Sequence, residues 1–179
     1  MQGESMSKRH PIIKEVQTAC QKHYACFAVA VSGLASQKRL YSSAPAGAKV
    51  FFSDKDPRFN TITAALYISE LKEYLEKDGA FADALAKSLL VAIYAEWDEY
   101  YRPKYAKAVG IRKNQVKCPL FGDLRLVRNC IVHCNSVLQA KHTKFKTLNW
   151  SLSPGKLRIT QDMFSIFVKQ INSLIICGE

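Results

Sequence analysis

The sequence predicts an all-α single domain carrying one small β-hairpin, on three observations. Apolar residues recur at steps of three and four through most of the chain, the spacing that lines one face of a helix. Turn chemistry is confined to short clusters, chiefly Ser42-Ser43-Ala44-Pro45-Ala46-Gly47, Asp54-Lys55-Asp56-Pro57 and Ser153-Pro154-Gly155. A chain of 179 residues, 48% hydrophobic and 23% charged, is large enough for one core without staples.

Residues 1–10 carry no pattern and read as a disordered leader, with Met6 as a candidate native start, so that 11–179 form the domain. Pro11 suits the first position of a helix, where its missing N–H costs nothing. Ile13, Val16, Cys20, Tyr24, Phe27, Val31 and Leu34 then give a helical stripe, although the apolar run 25–31 equally suits a buried strand. Residues 36–60 read as irregular, with Phe51 and Phe52 pinning the loop to the body. Asn60 or Thr61 is placed to cap a second helix running to about Lys77, with Ala64, Ile68, Leu71 and Leu75 inward and Asp78-Gly79 ending it.

A long helix is predicted over 81–108, with Leu85, Leu89, Ala92, Ile93 and Trp97 inward and a kink near Tyr101 imposed by Pro103. Glu96 falls in register with Leu85, Leu89 and Ala92, on a face that should be dry. A buried carboxylate is costly without a partner, and Arg128 or Arg125 is the partner expected. Glu96 is therefore either an inter-helix tie or a residue that orients a site, whereas Asp98 and Glu99 read as solvated. Leu120, Leu124, Val127, Ile131, Cys134 and Leu138 mark a helix over 120–140. Beyond it Leu148, Trp150 and Leu152 alternate, Pro154-Gly155 turns the chain, and Leu157 and Ile159 alternate again, which predicts the hairpin. Thr160 caps a last helix striped by Phe164, Phe167, Val168, Ile171 and Leu174.

The formal net charge is +11, and its distribution is more telling than its size. Between positions 102 and 161 lie thirteen of the 26 Lys and Arg, against a single acid, Asp123. A basic half of this kind is an electrostatic footprint for nucleic acid, or else a solubility feature or a face for an acidic protein. The six cysteines form neither CxxC pairs nor a disulfide framework and read as reduced, partly buried thiols. Cys130 and Cys134, with Cys118 and His142 nearby, make a poor zinc spacing, so no metal and no cofactor are expected. No apolar run is long enough to span a bilayer and no signal segment precedes the domain, which gives an expected cytoplasmic location and no membrane partner.

The helix over 120–140 carries the chemistry. At roughly 100° per residue its apolar stripe leaves Arg125, Asn129, His133 and Ser136 on the opposite side, with Arg128 on the flank. Asn129 and His133 stand one turn apart and Arg128 is long enough to lean toward them. An idle surface helix would carry Lys and Glu on this face. Two guanidiniums, an amide and an imidazole suit an anionic, hydrogen-bonding ligand such as a phosphodiester. The plainer reading is that Arg128 and Asn129 tie neighbouring helices and His133 is merely exposed.

The run Gly122-Asp123-Leu124-Arg125-Leu126-Val127-Arg128-Asn129-Cys130-Ile131-Val132-His133 resembles the signature helix of the HEPN superfamily. Its hallmark is an arginine, a short spacer and a histidine; here four residues separate Arg128 from His133 and Asn129 follows the arginine directly. The close match covers this helix alone. The resemblance implies a HEPN-like antiparallel bundle of about four or five helices, and homodimers in which two signature helices face each other across a cleft. It also implies metal-independent endoribonuclease activity of the toxin or antiphage-defence kind, with RNA as substrate and an antitoxin or defence-system companion protein as a further partner.

The residues carry parts for that reaction. An RNA 2′-OH attacks its own adjacent phosphate, so the nucleophile needs no metal. His133 would serve as general base or acid, since imidazole titrates near neutrality. Arg128 would neutralise the phosphorane, Asn129 would orient His133 or the phosphate, and Arg125 and Ser136 would bind the backbone. The alternatives are a non-catalytic HEPN module that binds RNA, a nucleotide or a partner protein, and a helical interaction protein in which the Arg-Asn-x-x-x-His match is accidental. No P-loop, HExxH, nucleophile elbow or dinucleotide fingerprint is present.

Overall fold

The computed structural model describes residues 10–53, 62–140 and 143–178. The expected leader up to residue 9, the Asn60 or Thr61 cap, the Asp54-Lys55-Asp56-Pro57 turn and His142 lie outside these. The described chain is mostly helical, as predicted. Helix α1 (Pro11–Leu40) starts on Pro11 and is capped by His10, whose Nδ1 accepts from the Ile12 N–H at 3.3 Å. The run 25–31 lies wholly inside it, so the strand alternative is removed and the helix outlasts its predicted stripe.

Residues expected to be loop and helix instead form a hairpin. Strand β1 (Lys49–Phe52) pairs antiparallel with β2 (Ala64–Tyr67), and helix α2 (Ile68–Tyr74) begins only after it. Ile68, Leu71 and Leu75 are buried as expected, but Ala64 is exposed on the strand. Phe51 and Phe52 are both exposed, against expectation, and of the two only Phe52 lines an apolar cleft with Leu34, Leu71 and Phe81. Helix α2 ends at Tyr74, short of the expected Lys77, and Gly79 instead caps the next helix, packed so closely that a Cβ there would stand 2.6 Å from the Tyr74 carbonyl oxygen.

Helix α3 (Ala80–Glu96) passes through a π turn (Trp97–Tyr101) into α4 (Arg102–Val109). This is the irregularity that Pro103 demands. Proline offers no N–H to the carbonyl four residues back and its ring crowds that carbonyl, and one wide turn accommodates both. Arg102 N–H accordingly donates five residues back, to Trp97 O. The buried stripe is Ala82, Ala86, Leu90, Ile93 and Trp97, while Leu85, Leu89 and Ala92 are only half-buried.

A short 3₁₀ turn (Lys113–Gln115) leads to β3 (Val116–Lys117) and then to α5 (Pro119–His133). Strand β4 (Val137–Leu138) follows, paired with β5 (Gly155–Lys156), and α6 (Gln161–Ile171) is capped by Thr160, which accepts from Met163 N–H at 3.2 Å. The chain's described end, β6 (Cys177–Gly178), pairs with β3. The predicted hairpin is thus re-partnered. Leu148, Trp150, Leu157 and Ile159 are buried in the expected alternation, but β5 pairs with β4 rather than with the segment around Trp150.

One contiguous core joins α1, α3, α5 and α6, with Phe27, Leu90, Leu124, Phe164, Phe167 and Ile171 at its centre. Each such side chain contributes roughly 1.5–3 kcal/mol by leaving water. Trp97 and Phe121 stack at 4.4 Å between centroids, fixing the π turn against the first turn of α5. No described helix is long and apolar enough to cross a membrane.

Candidate functional site

Helix α5 is where the predicted chemistry is displayed. Pro119 opens it, and Leu120, Phe121, Leu124, Val127 and Cys130 bury its inner face. Its end differs from expectation. The helix stops at His133, and Asn135 and Ser136 take left-handed conformations, at φ 48° and 59°. Such backbone is uncommon outside glycine and here turns the chain sharply. Cys134 and Leu138 therefore do not extend the stripe in a helix. Ser136, expected on the polar face, leaves the helical register; its N–H donates to Cys130 O at 3.1 Å and its carbonyl accepts from Leu157 N–H at 2.7 Å.

Three of the predicted residues come together. Arg128 Nη1 donates to His133 Nε2 at 2.9 Å and lies 3.2 Å from Asn129 Oδ1. A guanidinium has no lone pair to offer, so His133 Nε2 is the acceptor in this contact. His133 is exposed while Arg128 and Asn129 are half-buried. The arrangement presents a fixed cation and a basic nitrogen side by side on an open surface.

Arg125 stands apart from this cluster. It is exposed and forms no hydrogen bond or ion pair among the described residues. It lines a separate cleft of about 500 Å³ at the start of α5, together with Tyr94, Arg102, Lys117, Lys144 and Lys146. Burial raises the Tyr94 phenol above its ordinary range and the Asp98 charge adds to this, although Arg125, Arg102 and Arg128 pull the other way. The hydroxyl consequently stays protonated.

Glu96 corrects the expectation made for it. Its partner is neither Arg128 nor Arg125 but His23 on α1, whose Nε2 donates to Glu96 Oε1 at 2.9 Å. The buried stripe of α3 runs through Ile93 and Trp97, which leaves Glu96 on the flank facing α1, with its side chain 44% exposed. His23 and Glu96 share a cleft of about 870 Å³ with Lys22, Cys26 and Tyr100, on a different part of the molecule's framework from the α5 cluster. Asp98, expected to be solvated, is doubly engaged by Arg102 Nη1 at 2.9 Å and Lys113 Nζ at 3.0 Å. Burial alone would raise its carboxyl, but those hydrogen bonds prevail and hold it below the ordinary carboxylate range.

Asp123 went unassigned in the sequence reading, although an acid in register with Leu120, Leu124 and Val127 was a signal. It is 3% exposed and accepts from three consecutive backbone N–H groups, those of Lys146, Thr147 and Leu148, at 2.6–3.0 Å. That carboxylate ties the segment carrying Lys144 and Lys146 to α5. Among the described residues no group of His, Cys, Asp and Glu has the arrangement of a metal site. No family model, curated protein or solved structure matches the chain.

Proposed function

We propose that the protein is a metal-independent endoribonuclease of the HEPN toxin or antiphage-defence type, cutting RNA by attack of the 2′-OH on the neighbouring phosphate. The observation that carries this reading is the contact between Arg128 and His133, with Asn129 on the same guanidinium. His133 Nε2, the acceptor in that contact, would take the 2′-hydroxyl proton. Arg128, released from His133 as the phosphate arrives, would pair with its non-bridging oxygens and stabilise the charge that accumulates in the phosphorane. Asn129 would keep the guanidinium or the ring in place. Ser136 is left without a side-chain role in this scheme, and Glu96 acts on His23 instead.

One such face is sparse for catalysis, because a second proton-transfer group is needed at the leaving 5′-oxygen. A homodimer with a two-fold axis beside α5 would supply it as the second copy's histidine. Val132, 47% exposed and preceding His133 in the chain, supports an apolar contact there. A companion protein that restrains the activity in the cell belongs to the same reading.

The test is incubation of total RNA with purified protein in excess EDTA, beside His133→Ala and Arg128→Ala. Cleavage by the parent protein, with a loss of at least 100-fold in either variant, is the expected result. Cleavage that survives both substitutions, or that stops in EDTA, would overturn the assignment.

A further inference from the structure

The cleft at the start of α5 has a composition that the cleavage chemistry leaves unused. Four of its cations, Lys117, Arg125, Lys144 and Lys146, have no carboxylate partner among the described residues. Arg102, the fifth, is held by Asp98. The one acid on the cleft wall, Asp123, is buried and already accepts from three backbone N–H groups, so it offers nothing to a cation. Its effect is constructive: by gripping the backbone of Lys146, Thr147 and Leu148 it fixes one wall of the cleft to the helix that forms another. Tyr94 adds a protonated hydroxyl, a donor without a charge. Like charges collected around a cavity of about 500 Å³ repel one another unless an anion joins them.

The position of this cleft sets its ligand. Arg125 lies on the same helix as Arg128 and Asn129, three and four residues earlier, and side chains at that spacing are about 5–6 Å apart. An anion in the cleft would therefore sit about one helical turn from Arg128 and about two from His133, eight residues farther along the same helix. A single free anion would have no reason to be placed so; a strand with repeating phosphates would.

We infer that this cleft is a subsite for a backbone phosphate of single-stranded RNA, on the same strand as the scissile one and a short way along it, gripped by Arg125, Lys117, Lys144 and Lys146. The inference rests on the RNA reading of the α5 cluster and goes beyond it by fixing the path of the strand, along α5 from His133 toward Pro119. Phosphate contacts of this kind position the chain and carry no sequence preference.

The experiment measures binding separately from cutting. A labelled single-stranded RNA is titrated by fluorescence anisotropy against the full chain bearing His133→Ala, at several salt concentrations. The same is done with Lys144→Ala/Lys146→Ala added, and with Lys14→Ala/Lys22→Ala as a charge-matched control on α1. All four lysines are exposed, so the fold is expected to persist, which a thermal melt verifies. Loss of two phosphate contacts should lower the slope of log K against log salt by about 1.4 and weaken binding at least tenfold, while the control pair changes little. In the cleaving protein the same cleft substitutions should raise KM and leave kcat within about twofold. Equal weakening by both lysine pairs would overturn the subsite and leave the RNA reading standing. A parent chain that neither binds nor cuts RNA would overturn both.

Discussion

Arg128 and His133 form the contact on which the proposed chemistry depends, and it follows from their placement: an arginine on the flank of a helix reaches toward the C-terminus to His133, with Asn129 beside it. This part of the site was legible because helical spacing alone brings those residues together. The partner of Glu96 was not, because it comes from α1, and no pattern along the chain specifies which helices meet. Asp123 yields a test of its structural part. Asp123→Ala strands three N–H groups, that of Leu148 buried and those of Lys146 and Thr147 half-buried, so a loss of about 1–3 kcal/mol is expected, or roughly 2–12 °C in Tm; a shift under 2 °C would contradict it. Asp98 gives a pH dependence. Its folded carboxyl titrates below its unfolded value, so its contribution is complete above about pH 4 and fades as acid protonates it. Because the side chain is 29% exposed, Asp98→Asn should cost no more than ~1 kcal/mol at pH 7, converging with the parent as the pH falls below about 4 in denaturant titrations. Cysteine labelling separates two thiols on one helix. Burial, with a smaller push from Glu96, raises Cys20 to about 12, while Cys26 is exposed. Site-resolved mass spectrometry after iodoacetamide at pH 8 should find Cys26 modified and Cys20 intact.

Among the elements, the helices with a single apolar face were read correctly and those with ambiguous faces were not. Helix α6 carries its cap and most of its stripe as expected because Phe164, Phe167, Val168 and Ile171 keep steps of three and four, although the helix ends at Ile171 and Leu174 is buried beyond it. Helix α3 is apolar around most of its circumference from Leu85 to Ile93, so periodicity could not choose which side is buried, and Glu96 was misplaced with it. The β1–β2 hairpin was hidden because Ala64, Ile68, Leu71 and Leu75 happen to keep helical spacing across a strand–helix junction. Two glycines test the local accounts. Gly79→Ala forces a Cβ to within 2.6 Å of the Tyr74 carbonyl oxygen and should destabilise by about 1–3 kcal/mol. Gly122→Ala, inside α5 with open space around it, should instead stabilise by up to ~1 kcal/mol through helix propensity. Chemical denaturation of the pair should show opposite signs, and a common sign would refute the reading of one turn or the other.

For the whole molecule, the concentration of positive charge between positions 102 and 161 was visible before any coordinates, and its use was not. Folding gathers Lys117, Arg125, Lys144 and Lys146 at one cleft because Asp123 anchors the last two to α5, a connection across more than twenty residues that no local pattern encodes. Under the proposed function the same charge would make affinity for RNA salt-dependent, and the cluster at His133 would make the chemistry depend on the ribose. That dependence admits the most direct measurement of the account: cleavage in EDTA of one RNA oligonucleotide beside its fully 2′-O-methylated counterpart, with the product ends identified by mass spectrometry. The expected result is cutting of the unmodified strand alone, to a 2′,3′-cyclic phosphate or 3′-phosphate and a 5′-hydroxyl. Cutting of the methylated strand, 5′-phosphate products, or no cutting of either would contradict it.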